Sequence, residues 1–71
     1  MKAEKFTNAQ GEERIIVHFE KDANGNPTKA PFSCSVAELE DEADLIDSIR
    51  FETDLKGDKA KEVLNLIKSV A

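Results

Sequence analysis

One cysteine, one histidine, two prolines and three glycines are all that the chain holds of the residues that most often staple, catalyse or punctuate a fold. The lone Cys34 excludes an internal disulfide and fits a reducing compartment. No apolar run approaches the roughly 18–20 residues that a membrane span requires. No apolar stretch follows Lys2 and Lys5, so a secretory leader is not expected. Internal repeats and Ser/Gly/Pro-rich linkers are also missing. The 71 residues therefore read as one domain, 1–71, expected in the cytoplasm and near the lower size limit for folding without staples.

Charge is plentiful, and it is unevenly placed. Eight acidic residues (Glu38, Glu40, Asp41, Glu42, Asp44, Asp47, Glu52 and Asp54) lie in one stretch with a single base, Arg50. The rest of the chain holds seven acids against nine Lys or Arg, so the net charge of −5 is an acidic segment joined to a slightly basic remainder. A concentrated negative field steers cationic partners and repels nucleic acid, and salt weakens both effects. With 39% hydrophobic and 35% charged residues, the composition is that of a folded chain rather than a disordered one.

Residues 14–20 are rich in β-branched and aromatic side chains and predict a strand. Asn24-Gly25 follows, a strong hairpin signal, because a type I′ turn needs positive φ at both central positions. Closing the loop there sets Ala23 against Asn26, Glu20 against Lys29, Phe19 against Ala30, Val17 against Phe32 and Ile15 against Cys34. The apolar partners then share one face, and Glu20–Lys29 makes a cross-strand charge pair on the other. Pro31 lacks the N–H that a further strand would need, which predicts a sheet edge around residues 28–34. Met1–Thr7 reads as a first strand joined through Asn8-Ala9-Gln10-Gly11. A tip at Gln10-Gly11 faces Phe6 to Ile15 in the core, whereas a three-residue turn with a glycine bulge sets Phe6 against Arg14. Burial of Phe6 favours the former.

Ser35 predicts a helix N-cap, with Glu38 completing a capping box and Cys34 and Leu39 a hydrophobic staple. Val36, Leu39, Ala43 and Ile46 recur at helical spacing and predict the inward face. Glu40, Asp41, Asp44 and Asp47 then project from the other side, with the helix ending near Asp47. Ile49, Phe51, Thr53 and Leu55 alternate and favour a fourth strand over a helix continued through residue 50. Asp58 can cap a last helix that buries Ala60, Val63, Leu64, Leu66, Ile67 and Val70. The fold class is α+β: a small antiparallel β-meander of three strands, with the fourth added beside the first in the order 3-2-1-4, and two helices packed on one face.

His18 points away from the Val17 face and has no nucleophile, acid or metal ligand beside it in the hairpin, so it reads as a surface histidine rather than a catalyst. Cys34 alternates inward and reads as a packing thiol. Asp22-Ala23-Asn24-Gly25-Asn26 has the polar start of an EF-hand loop, but Pro27 stands where glycine is needed and Ser33 where a bidentate Glu belongs. A hairpin turn accounts for it. No catalytic residue, cofactor site or metal site is expected.

The acidic ridge of Glu40, Asp41, Asp44 and Asp47 carries the functional expectation. Their i,i+3 and i,i+4 spacing of about 5–6 Å suits a row of anions that could imitate nucleic-acid phosphates on a basic protein. A tight Ca²⁺ site would need loop carbonyls as well. A solvated face that maintains solubility explains the same residues. On the open side of the sheet, Ile16, His18, Pro31 and Ala3 stay exposed unless a partner covers them, which suits a homodimer.

The sequence thus predicts a non-enzymatic binding module, an inhibitor or adaptor whose partner is another protein with a basic surface. The alternative is a homodimeric accessory protein associating through the open sheet face. Direct nucleic-acid binding and membrane association are not expected. In size, acidity and lack of catalytic signature the chain is similar in type to small proteins of phages and mobile elements, although no residue motif ties it to a family. A substrate pocket of even about 300 Å³ would take much of so small a core.

Overall fold

Two loops of the same construction build the sheet. The computed structural model describes residues 1–71. In the first loop the Asn8 side-chain oxygen accepts from the N–H groups of Gln10 and Glu12 at 3.0 and 2.9 Å, and Gly11 N–H donates to the Asn8 carbonyl at 3.0 Å. In the second the Asp22 carboxylate accepts from Asn24 and Asn26 at 2.9 and 3.0 Å, and Gly25 N–H donates to the Asp22 carbonyl at 3.0 Å. Gly11 and Gly25 have φ of 80° and 82°. Each is a three-residue loop closed by a left-handed glycine, where a Cβ would be strained.

These loops overturn two expectations. A type I′ turn at Asn24-Gly25 would need positive φ at Asn24, yet Asp54 is the only non-glycine residue with positive φ. The Asp22 side chain favours the longer loop, because it satisfies two N–H groups inside it. The glycine-bulge loop at Gly11 likewise places Phe6 opposite Arg14 rather than Ile15, and Phe6 is 40% exposed instead of buried.

Strand β1 (Lys2–Thr7) pairs antiparallel with β2 (Glu13–His18), and β2 with β3 (Phe32–Ser35), in the order β1-β2-β3. Val17 faces Phe32 and Ile15 faces Cys34, as the alternation predicts. Nearer the loop the register slips by one residue. Lys21 bridges Pro27 and the Glu20 carbonyl accepts from Thr28 N–H at 3.0 Å. Residues 29–31 therefore stand against only His18 and Phe19, a bulge containing Pro31. Glu20 and Lys29 do not pair, and the Glu20 carboxylate lies 3.6 Å from the Met1 ammonium instead. β3 is an edge strand, as Pro31 indicates.

A 3₁₀ turn (Val36–Glu40) follows β3, then helices α1 (Glu42–Thr53) and α2 (Asp58–Val70). No fourth strand forms: residues 49–53 complete α1, so the predicted 3-2-1-4 sheet ends at β1. The expected inward face also shifts. Asp41, at φ −125° and ψ 83°, separates the 3₁₀ turn from α1 and resets the helical phase. Ala43 becomes exposed, Val36, Leu39 and Ile46 are half-buried, and Leu45, Ile49 and Thr53 form the buried stripe. Those three are spaced i, i+4, i+8, the rows that stack on one helix face. Buried Thr53 satisfies its hydroxyl by donating to the Ile49 carbonyl at 2.6 Å.

α2 forms where the sequence predicts a last helix and buries Ala60, Val63, Leu64 and Ile67. Leu66 and Val70, predicted for the core, are only half-buried at its margin. Gly57 rather than Asp58 occupies its N-cap. Both helices cover the Ile15 and Val17 face, and the ten buried apolar residues form one core between sheet and helices. Complete burial of a side chain such as Leu45 or Ile67 contributes about 1.5–3 kcal/mol. The architecture is a small α+β fold.

Candidate interaction surface

The acidic segment becomes the 3₁₀ turn and α1, and several of its carboxylates first serve local structure. The Glu38 carboxylate accepts from the Ser35 backbone N–H at 2.7 Å, the expected capping contact. The Asp41 side chain accepts from Asp44 N–H at 3.2 Å and caps α1. Glu42 meets Lys68 of α2 at 3.3 Å, and Asp47 lies 4.0 Å from Arg50. Exposed pairs of this kind contribute about 0–1 kcal/mol. Glu40, Asp44, Glu52 and Asp54 are exposed and form no ion pair.

The four predicted ridge residues are all exposed, but they do not form one helical row. Glu40 belongs to the 3₁₀ turn, so its expected i,i+4 relation to Asp44 is broken at Asp41. Asp41 is engaged as a cap. Asp44 and Asp47 do share the outward side of α1, and the same stripe continues one turn further to Phe51. That ring is 89% exposed. Sequence reasoning missed it by assigning Phe51 to a strand. The signal that could have found it was the Leu45, Ile49, Thr53 spacing, which puts Phe51 on the opposite side.

The open sheet face is striped rather than apolar. Register places Lys2 beside His18, Glu4 beside Ile16 and Ser33, and Phe6 beside Arg14 and Ser35. Lys2 and Glu4 pair at 3.2 Å, Arg14 and Glu12 at 3.0 Å, and Arg14 donates to the Ser33 hydroxyl at 3.2 Å. His18 and Pro31 are exposed and Ile16 half-buried. Ala3 pairs with Val17 and so lies on the core side, contrary to expectation.

Cys34 is buried in the core. Burial, reinforced by the nearby Glu38 charge and partly opposed by Arg14, pushes its thiol up to about 11. It is a protonated packing residue at neutral pH. An open depression of about 170 Å³, with Phe19, Leu55, Glu20 and Lys59 among its walls, is the one concavity of note. No group of three His, Cys, Asp or Glu side chains is arranged to hold a metal ion, and no helix is long and apolar enough to cross a membrane.

No family model, no curated protein and no solved structure matches this chain.

Proposed function

We propose that the protein is a non-enzymatic binding module, an inhibitor or adaptor that works in the cytoplasm by setting the acidic side of α1 against a basic surface of another protein. One observation carries this reading. α1 commits Leu45, Ile49 and Thr53 to the core and presents Asp44 and Asp47 outward on its other side, with Glu40, Glu52 and Asp54 exposed and unpaired nearby. Such a face keeps its field for a partner and accelerates encounter with a cationic one. Affinity capture should retain basic proteins at low salt and release them at high salt, and Asp44→Asn/Asp47→Asn should lose them. Equal capture by that variant would contradict the reading.

A second reading, a homodimer through the open sheet face, is favoured by Phe6, which shares that face with Ile16 and His18. Ile16→Lys should then convert a dimer to a folded monomer in sedimentation. A wild-type monomer at high concentration removes it.

A further inference from the structure

Resting on the acidic-face reading, we propose that Phe51 is the apolar anchor of that face and seats in an apolar pocket rimmed by Lys or Arg on the partner protein. The fold does not use this ring. α1 is held to the core by Leu45 and Ile49, and Phe51 stands on its far side, 89% exposed. A large aromatic among polar residues is the usual composition of a binding hot spot and its rim.

The charges around the ring state which partner fits. Asp47 lies one turn before Phe51 and Asp44 two turns before, Glu52 follows directly, and Asp54 lies three residues on. The one cation among them, Arg50, leans toward Asp47 at 4.0 Å. This rim repels nucleic-acid phosphates, anionic lipid headgroups and the same face of a second copy. It complements a pocket lined by aliphatic or aromatic side chains and edged by Lys or Arg, where the ring is desolvated and the carboxylates meet opposite charge.

The test uses the full chain and three synthetic helical peptides of equal length: one with a leucine face flanked by lysines, one of lysine and glutamine with the same charge, and one of leucine and glutamate. The leucine–lysine peptide should bind best, and Phe51→Ala should weaken it about tenfold or more while leaving the lysine–glutamine peptide unaffected. Circular dichroism should show Phe51→Ala folded, because the ring is exposed. If Phe51→Ala binds the leucine–lysine peptide as tightly as the wild type, the anchor is overturned while the acidic face stands. If Asp44→Asn/Asp47→Asn leaves that affinity unchanged at low salt, the acidic face itself is overturned. Equal binding of the leucine–glutamate peptide would overturn the basic rim. A wild-type dimer that Phe51→Ala turns into a monomer would assign the ring to a second copy and overturn the proposal.

Discussion

Asn8 and Asp22 hold the same position in the two hairpin loops, and each side-chain oxygen accepts from the N–H groups two and four residues further on. The Asn8 loop carries straight into the β1–β2 register, with Phe6 opposite Arg14. The Asp22 loop fixes only the Lys21–Pro27 end, and the bulge at residues 29–31 restores Val17 opposite Phe32. Replacing either by alanine leaves its two loop N–H groups to water. Asn8→Ala and Asp22→Ala should each cost about 1–2 kcal/mol in denaturant unfolding. A change below a few tenths at both sites would mean that the glycines alone set the loops.

The helical phase of α1 is tested by contrast. Leu45→Ala should destabilise by about 2–5 kcal/mol because it opens a cavity in a packed core. Phe51→Ala should stay within about 0.5 kcal/mol. Comparable losses at both positions would restore the alternating, strand-like reading of this segment.

That contrast marks how much was legible in the sequence. Val17 opposite Phe32 and Ile15 opposite Cys34 could be read, because alternation and burial both require them. α2 could be read as well, since its apolar stripe runs without interruption from Ala60 to Val70. The loop types could not, because a single Asx side chain tips the balance between two turns that fit the same Gly. α1 was hidden by two coincidences. Asp41 interrupts the helix and shifts its phase, and Ile49, Phe51, Thr53 and Leu55 alternate by chance. The carboxylates were visible, but the anchor beside them became visible only once α1 had its true inward side.

Asp54 ends α1 in the left-handed region at φ 59°, a conformation that glycine adopts without the Cβ clash. Asp54→Gly should raise stability by about 0.5–1 kcal/mol, read as a higher Tm. A lower Tm would show that the aspartate side chain does more for the helix end than its backbone strain costs.

Cys34 sets an alkaline limit. Its thiol is raised from 9.0 to about 11 in the folded state, so above pH 9 the unfolded chain loses its proton first. The folded state then holds more protons, and stability falls as pH rises through this window. Below pH 9 the contribution is complete and flat. Cys34→Ala should lower stability at neutral pH and abolish this part of the alkaline decline, measured by denaturant unfolding at pH 8 and 10.5. An unaltered pH slope would place the thiol in water.

The most direct test of the central claim is amide chemical-shift mapping of the labelled protein with a basic protein captured at low salt. Shifts should concentrate on residues 44–54 of α1 and its C-terminal end, and fade as salt is added. Shifts concentrated instead on Lys2–Phe6 and Arg14–His18 would place binding on the open sheet face and contradict the account.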